Sequence, residues 1–370
     1  MGHEHHSTSA SHGYDLRPSP TGHQPEQPKP GRPGRRRRIA AIAAAGVVLA
    51  AAGTSAGILA TRQTVTLAHP KPIAVLTDPG RDAPFSVAFS PDGETLAAVG
   101  LNGFYVWRTA THTMVAALTD PGARKGYLGT AAFSPDGKTL AVSNGYNGVS
   151  LWSTATDSLI TTLTDPNAHV VISVAFSPDG KILATADARG RLYLWSTATD
   201  TITAILTDPG KSLGVATVVY SPDGRTLAAA DSNGRIYLWS TASHTVSAVL
   251  TDPTRSRFAS SVAFSPDGAT LAAASTSDGV IVWSTATHAI TATVTCHPWG
   301  PSNLLFSPDG RTLAIESGSL FLWNTAARQF SAILSDPDPN GAVDTAAISP
   351  DSKTIATGDI DGRIYLWRTT

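Results

Sequence analysis

Recurring aspartates are the first residues of this chain whose type and spacing suggest chemistry. One set lies in the tetrapeptide Ser-Pro-Asp-Gly and comprises Asp92, Asp136, Asp179, Asp223, Asp267 and Asp309. Serine at the first position, proline at the second and glycine at the fourth are the preferences of a type I β-turn. The turn therefore accounts for these carboxylates, and we expect no catalytic role for them.

A second set of aspartates stands directly before proline or in the equivalent place of a repeat and comprises Asp78, Asp120, Asp165, Asp208, Asp252 and Asp336. Brought together in a ring, these carboxylates could bind a cation, because Ca²⁺ prefers carboxylate oxygens. An aspartate at this position also caps the end of a strand through an Asx turn, and we favour this interpretation. The sequence therefore predicts no metal site.

Histidine, cysteine and serine supply no recognisable catalytic pattern. The histidines of the repeats show no paired ligand spacing, and three of them recur in the turn "TATH" or "TASH", which indicates solvent exposure; the full set is His69, His112, His169, His244, His288 and His297. The one cysteine, Cys296, can form neither an intrachain disulfide nor a cysteine-based zinc site. No serine is predicted to lie at a strand-to-helix nucleophile elbow. We therefore expect a protein that is not an enzyme and binds no cofactor.

The charge distribution argues against nucleic acid as a partner. The chain carries a formal net charge of -1. Residues 1–38 hold seven Lys or Arg and three Asp or Glu, a balance of +4, so the rest of the chain carries -5. A nucleic-acid-binding domain is typically basic, and the main part of this chain is acidic.

Residues 1–38 are predicted to be a disordered, basic tail rich in proline and histidine. They contain six prolines and almost no large apolar residues, so they cannot bury enough surface to offset the entropy of ordering. The tail histidines could bind a transition metal loosely, although a biased polar composition already explains them. They are His3, His5, His6, His12 and His23.

Residues 39–60 are predicted to form a transmembrane helix that acts as a signal anchor. These 22 residues carry no charge, and a helix of this length spans roughly 30 Å of hydrocarbon. Arg35–Arg38 precede the segment, so the positive-inside rule places the N-terminus in the cytoplasm and the residues after Ala60 outside it. Ten alanines weaken the segment and leave two alternatives open: a signal cleaved near Ala50–Ala52, which would give a secreted protein, and a buried soluble helix.

Gly53 and Gly57 form a GxxxG motif in this segment, which could pair two such helices into a dimer. Small residues are so frequent here that the same spacing also arises by chance, and dimerisation is not our main prediction. Residues 61–70 are predicted to be a linker.

From residue 71 to residue 370 the sequence is periodic. Ser-Pro-Asp recurs at steps of 44, 43, 44, 44, 42 and 42 residues, starting from Ser90, and a tryptophan closes each of the seven units. Each unit indicates four short strands, as in "SVAF", "TLAAV", "FYVW" and "MVAAL", separated by turns that contain glycine, such as Asn102-Gly103 and Asn233-Gly234. Seven antiparallel four-stranded units that repeat radially form a β-propeller, so the predicted fold class is all-β.

The two ends of the repeat region predict how the ring closes. The chain ends just after a third strand, at Trp367, and the first unit is preceded by an unmatched fourth strand, "IAVLTDP" at residues 73–79. Pairing the two would complete the last blade and remove two open sheet edges.

The residues "FSPDGKTLAVSNGYNGVSLWSTATDSLITTL" resemble the WD-repeat family, and the resemblance covers about 300 residues in seven units. It implies a seven-bladed propeller that binds other proteins. The stretch "STATDTITAIL" is also similar to the surface propellers of prokaryotes, which implies a prokaryotic, membrane-anchored type.

The sequence departs from the WD-repeat pattern in two places. The aspartate that follows tryptophan in the family is Ser, Arg or Asn here, and the Gly-His that begins a unit is replaced by Asp-Pro. The family's buried network of Asp, His, Ser and Trp is therefore expected to be absent in its usual form. Blade stability would then depend more on packing and on turn chemistry.

One face of the predicted propeller is the expected partner-binding surface. The Ser-Pro-Asp-Gly and Trp-Ser-Thr-Ala-Thr turns lie on one face and are nearly identical among units, whereas the fourth-to-first-strand loops on the other face differ. Loops that blade geometry does not constrain can carry specificity, and arginine and aromatic residues often anchor interfaces. The candidate partner-binding residues are Arg81, Arg124, Lys125, Tyr127, His169, Lys211, Arg255, Arg257, Phe258 and Trp299.

The sequence is compatible with two functions. The first is a membrane-anchored interaction scaffold that binds a protein or peptide through the variable loops. The second is an extracytoplasmic propeller enzyme or a small-molecule or carbohydrate binder, lactonase-like, with a ligand in the central channel. The residues predicted to line the channel are small and neutral and favour the first; they are Ser86, Thr130, Ser173, Thr217, Ser261, Asn303 and Thr345.

Overall fold

The computed structural model describes most of the predicted propeller. The residues described are 67–77, 80, 83–100, 103–120, 129–145, 148–167, 169–210, 214–252, 259–275, 279–295, 300–339 and 341–369. The predicted tail and transmembrane segment, with Gly53 and Gly57, lie outside them, as does Cys296. None of the residues described forms a helix with the length and apolar character that a membrane crossing requires.

Within the described residues, twenty-eight strands make up seven four-stranded antiparallel sheets, one per predicted blade. Blades 1 to 4 comprise, in order, β2 (Ser86–Phe89), β3 (Thr95–Val99), β4 (Phe104–Arg108) and β5 (Thr113–Leu118); β6 (Ala131–Phe133), β7 (Thr139–Ser143), β8 (Val149–Ser153) and β9 (Ser158–Leu163); β10 (Val171–Phe176), β11 (Ile182–Asp187), β12 (Arg191–Ser196) and β13 (Thr201–Thr207); and β14 (Val215–Tyr220), β15 (Thr226–Asp231), β16 (Arg235–Ser240) and β17 (Val246–Thr251).

Blades 5 to 7 complete the set. They comprise β18 (Ala259–Phe264), β19 (Thr270–Ser275), β20 (Gly279–Ser284) and β21 (Ile290–Val294); β22 (Asn303–Phe306), β23 (Thr312–Glu316), β24 (Leu320–Asn324) and β25 (Gln329–Leu334); and β26 (Val343–Ile348), β27 (Thr354–Asp359) and β28 (Arg363–Arg368) with β1 (Ala74–Thr77).

The predicted closure of the ring is confirmed. Strand β1 pairs antiparallel with β28 and becomes the fourth strand of blade 7, with Ala74 opposite Leu366 and Leu76 opposite Ile364. The first strands of successive blades contact one another, and β26 contacts β2, so the seven blades form a closed circle. Closure therefore joins the two ends of the repeat region by backbone hydrogen bonds rather than by a covalent link.

Burial on both sides of each sheet explains the many alanines. In the second strands, four consecutive residues such as those from Leu96 to Val99 are buried, because both faces of the blade are covered by its neighbours. The core is a series of clusters, and each of them joins two adjacent blades. The tryptophans belong to these contacts: the ring of Trp152 in blade 2 lies 5.0 Å, edge to face, from that of Phe104 in blade 1.

We call the surface formed by the first-to-second-strand and third-to-fourth-strand turns the turn face. In blade 1, the Ser90 hydroxyl donates to the Asp92 carboxylate (2.5 Å), and Thr109 donates to the carbonyl of Gly93 (2.6 Å). The same two bonds recur in all seven blades, at 2.5–2.7 Å and 2.6–2.8 Å. The turn role predicted for the Ser-Pro-Asp-Gly aspartates is confirmed.

The third-to-fourth-strand turns need a positive φ at one residue that is not glycine. The angle is 58° at His112, His244 and His288. All three side chains are exposed, as their shared place in "TATH" and "TASH" predicted.

Candidate interaction face

The opposite surface, which we call the loop face, carries the fourth-to-first-strand loops and the second-to-third-strand turns. Nine of the ten predicted partner-binding residues lie outside the described residues, so their mutual arrangement is not tested; they are Arg81, Arg124, Lys125, Tyr127, Lys211, Arg255, Arg257, Phe258 and Trp299. The tenth, His169, is half-buried and stands just before β10 on this face.

Asp165, Asp208 and Asp336, at the ends of fourth strands, form the Asx turns that we favoured. In each turn a carboxylate oxygen accepts a hydrogen bond from the backbone N–H two residues later. The N–H of Asn167 donates to Asp165 (2.7 Å), and the N–H of Gly210 donates to Asp208 (2.7 Å). Asp252 instead accepts a bond from the Ser275 hydroxyl (3.1 Å). Asp78 lies outside the described residues. Within the part of the chain that the structure describes, no group of three or more His, Cys, Asp or Glu residues is arranged to hold a metal ion.

A further set of aspartates, which we did not predict from the sequence, ends the second strands of blades 3, 4 and 7. Asp187, Asp231 and Asp359 are completely buried. In blade 4 one carboxylate oxygen of Asp231 accepts the backbone N–H groups of Asn233 (2.9 Å) and Arg235 (2.8 Å) and so fixes the turn. The signal was present as the repeated pattern Asp-x-x-Gly-Arg in "ADARGR", "ADSNGR" and "GDIDGR".

These aspartates face the fourth-strand aspartate of the preceding blade. Burial raises the pKa of the Asp231 carboxyl, and the Asp208 carboxylate raises it further. The hydroxyl of Tyr237 lies 3.5 Å from the second Asp231 oxygen, and the guanidinium of Arg235 lies 3.3 Å from the same hydroxyl. A carboxylate pair with one tyrosine and one arginine thus joins blades 3 and 4.

Blade 7 repeats this arrangement with a shorter distance between tyrosine and aspartate. The Tyr365 hydroxyl donates to Asp359 (3.2 Å), and Arg363 lies 3.8 Å from Asp359 and 3.6 Å from Asp338. Burial raises the pKa of Tyr365 to about 12, so this phenol stays protonated and can donate at physiological pH.

Blade 3 departs from this pattern. The Tyr193 hydroxyl accepts a hydrogen bond from the Asn167 side chain (2.7 Å). The second oxygens of Asp165 and Asp187 are buried without a hydrogen-bond partner among the described residues. Three boundaries of the ring therefore share one set of residue types but differ in their hydrogen bonds.

Part of the buried network expected to be absent is retained in altered form. The indole N–H of Trp195 donates to Thr185 (3.1 Å), and that of Trp367 donates to Thr357 (2.8 Å). In blade 7, Asp359 accepts hydrogen bonds from the backbone of its turn and from the Tyr365 hydroxyl. Within the described residues these contacts involve no histidine, and they give the blades a polar contribution to their stability.

The predicted channel-lining residues lie on the first strands, where several of them join blades. The hydroxyls of Ser86, Ser173 and Ser261 accept backbone N–H bonds from the next blade at 3.1–3.3 Å. Ser173, Ser261 and Thr345 are buried. The inner strands are thus close enough for a short side chain to reach the backbone of the neighbouring blade.

The inner part of blade 6 carries a carboxylate that we also did not predict from the sequence. Glu316 is only 3% exposed. The Ser302 hydroxyl donates to one of its carboxylate oxygens (2.8 Å), and the other has no partner among the described residues. Burial raises the pKa of Glu316 to about 7, with a further contribution from the Asp344 carboxylate. The sequence did distinguish this position, because the other second strands have Val, Ser, Ala or Gly where blade 6 has glutamate.

Comparison with protein families agrees with this geometry. Four segments match the family described as WD domain, G-beta repeat: residues 157–196, 202–240, 244–284 and 331–368. Each segment starts in or next to the fourth strand of one blade and ends in the third strand of the next, which is the offset that ring closure requires. No curated protein matches the chain significantly. Four WD-repeat matches within seven blades support a WD-repeat propeller.

Proposed function

We propose that the chain is an interaction scaffold that is anchored in the cell membrane by residues 39–60 and binds a protein or peptide through its loop face. A WD-repeat propeller is consistent with such a scaffold. The finer elements of the proposal are the prokaryotic membrane-anchored type, the cytoplasmic N-terminus and the extracytoplasmic propeller. They are supported by the arginines and the apolar segment of the sequence.

The choice of the loop face rests on one observation: contacts on the turn face repeat from blade to blade, whereas the loops of the loop face differ. On the turn face, the same hydroxyl-to-carboxylate and hydroxyl-to-carbonyl bonds recur in every blade. On the loop face, the fourth-to-first-strand loops differ in sequence at every blade boundary. A surface with different side chains at each boundary can distinguish partners, whereas a surface of identical turns presents one motif seven times.

We further propose that the protein has no catalytic activity. The Ser-Pro-Asp-Gly carboxylates are engaged in their turns, and hydrogen bonds from their serines lower the pKa of these aspartates. A carboxylate with a lowered pKa is a poor general base near neutral pH.

Photo-crosslinking from two matched histidine positions tests the scaffold proposal. His169 lies on the loop face and His244 on the turn face. A photoreactive amino acid at position 169 of the full chain should form a discrete crosslink to a partner in cells, and the same group at position 244 should not. Equal crosslinking from both positions, or from position 244 alone, would contradict the assignment of the face.

Protease protection tests the proposed topology. Protease added to intact cells should cleave the propeller and leave residues 1–38 uncut, and the intact chain should sediment with membranes. A soluble product that begins near Gly53 would show a cleaved signal instead.

A further inference from the structure

Each blade places one equivalent residue at the loop-face end of its first strand, five positions before the serine of Ser-Pro-Asp. Because the first strands of successive blades contact one another, these ends surround the central channel. In blades 1 and 6 the backbone N–H of this residue donates to the last residue of the second strand, from Phe85 to Val99 (2.8 Å) and from Ser302 to Glu316 (2.9 Å). We call the seven residues the channel rim; they are Phe85, Gly129, Ile172, Ala216, Ser260, Ser302 and Asp344.

The channel rim has an apolar part and a polar part. In blades 1 to 4 its residues are apolar or glycine, and two of them are exposed, Phe85 (43%) and Ile172 (39%). In blades 5 to 7 they are two serines and Asp344, which is the one charged residue of the rim. Asp344 is exposed and lies in β26, which contacts β2 of blade 1. The polar and apolar parts therefore meet where blade 7 adjoins blade 1.

Glu316 adds a second carboxylate next to the polar part of the rim. The Ser302 hydroxyl donates to Oε1 of Glu316 (2.8 Å), whereas Oε2 is buried without a hydrogen-bond partner among the described residues. The Asp344 carboxylate is close enough to raise the pKa of Glu316. Within the described ranges, no lysine, arginine or histidine forms an ion pair with either acid. Two carboxylates and one unused acceptor thus lie together without a counter-charge.

The chemistry of this site favours an organic cation. A buried carboxylate without a counter-charge is costly, and a cation that donates a hydrogen bond to the free oxygen removes that cost. Ca²⁺ takes about six or more oxygen ligands, and in the part of the chain that the structure describes no group of three or more His, Cys, Asp or Glu is arranged to hold a metal ion. The exposed ring of Phe85, beside Asp344, attracts an ammonium or guanidinium group and packs against its alkyl stem.

We propose that Glu316 and Asp344 bind a lysine or arginine side chain of the partner at the channel rim, with its charged group against the two carboxylates and its alkyl stem against Phe85. This inference rests on the proposed scaffold function and specifies the partner, which presents a basic residue to the centre of the loop face. Blades 6 and 7 determine the selectivity, because the other second strands have Val, Ser, Ala or Gly at the position of Glu316 and no other residue of the rim is charged.

Binding of single blocked amino acids to the full chain tests the site without the partner. The probes are Nα-acetyl-arginine amide, Nα-acetyl-lysine amide and the uncharged Nα-acetyl-norleucine amide. Saturation-transfer NMR in detergent micelles measures their binding at about pH 8, where Glu316 is ionised. The arginine or the lysine probe should bind about tenfold or more tightly than the norleucine probe, since a hydrogen bond to a charged group contributes this much. Equal binding of the three probes would overturn the proposal.

Two variants locate the binding. Glu316→Gln keeps the size of the side chain and Asp344→Asn changes an exposed residue, and each should weaken binding of the charged probe about tenfold. The control Glu94→Gln, at an exposed position of the turn face, should leave binding unchanged. Circular dichroism verifies folding, and Asp344→Asn decides alone if the Glu316→Gln chain does not fold. Undiminished binding in the folded variants would overturn the site.

Calcium chloride and the crosslinking experiment separate the site from its alternatives. A rise in melting temperature with calcium chloride that Glu316→Gln abolishes, without binding of a charged probe, would assign the carboxylates to a metal ion and overturn the proposal. Discrete crosslinking from position 169 without probe binding would refute this site and leave the scaffold function standing. Probe binding without crosslinking would refute the scaffold function, and with it the assignment of the cation to a protein partner.

Discussion

The two faces of the propeller differ in the contacts that hold their turns and loops in place. On the turn face, one set of bonds involving Ser, Asp, Gly and Thr is repeated seven times with distances that vary by 0.2 Å. On the loop face, an aspartate pair with tyrosine and arginine joins three boundaries, while a serine meets Asp252 at another. The difference indicates that the turn face sets the geometry of the blades and that the loop face is free to vary from one boundary to the next.

Ring closure supports both faces, so its loss should have the largest effect. Deletion of residues 71–76 removes the fourth strand of blade 7 and the buried side chain of Leu76. We expect the free energy of unfolding to fall by roughly 5 kcal/mol or more, with aggregation through the exposed edge of β28. Thermal melting and light scattering provide the measurement. A deletion variant that melts like the intact chain would show that closure does not stabilise the ring.

Glu316 should destabilise the inner part of blade 6 at alkaline pH. Its pKa is raised from 4.5 to about 7 in the folded chain. At pH values between these two, the folded state therefore keeps a proton that the unfolded state has already lost. The resulting cost grows as the pH rises from about 4.5 to 7 and reaches about 3 kcal/mol above that range. Glu316→Gln should therefore raise the melting temperature at pH 8 and change it little at pH 4. The exposed control Glu94→Gln should change the melting temperature at pH 8 little.

The buried aspartates of the loop face should matter more for stability than those of the turn face. Asp231→Ala leaves two backbone N–H groups without their acceptor in a partly buried turn, and we expect the free energy of unfolding to fall by about 2 kcal/mol. The matched change Asp223→Ala, in an exposed turn of the same blade, should cost about 1 kcal/mol or less. Chemical denaturation of both variants gives the comparison, and an equal loss would mean that burial does not distinguish the two faces.

Acid should weaken the turn face by a small amount. Hydrogen bonds from Ser221 and from the backbone of Arg225 lower the pKa of Asp223. Such a group stabilises the folded chain above its unfolded pKa, near 3.8, and loses this effect as the pH falls through its lower folded value. Asp223→Asn should therefore be slightly less stable than the unaltered chain at pH 6, and the difference should disappear near pH 2. Urea denaturation at the two pH values measures it; a difference that persists at pH 2 would contradict this explanation.

Strand limits and ring closure, which follow from the repeat itself, were predicted best from the sequence. The strand limits "SVAF" and "TLAAV" agree with β2 and β3, and the pairing of β1 with β28 follows from the unmatched strands at the two ends. The glycines of the second-to-third-strand turns were also predicted from the repeat, although Gly103, unlike Gly234 (φ 78°), does not have a positive φ. A side chain there would instead meet the carbonyl oxygen of Leu118 at the close approach of the two strands.

Contacts between units were harder to predict. The pairing of Asp208 with Asp231 depends on which residues of adjacent blades meet, and a single repeat does not contain this information. The bridge between Ala68 and Ala332 on the edge of blade 6 was missed for a similar reason, because the sequence of Leu67 to His69 has no strand pattern of its own. This edge was distinguished only by Phe330.

The affinity of the full chain for the partner captured by crosslinking tests the central claim most directly. The triple change Arg255→Ala, Arg257→Ala and Phe258→Ala on the predicted loop face should weaken binding by about 2–4 kcal/mol, since arginine and aromatic anchors commonly contribute this much. The matched change Ser240→Ala with His244→Ala on the turn face should leave the dissociation constant within about twofold, a difference below about 0.5 kcal/mol. The circular dichroism spectrum should be unchanged in both. Equal losses from the two faces, or a loss confined to the turn face, would contradict the claim that the loop face recognises the partner.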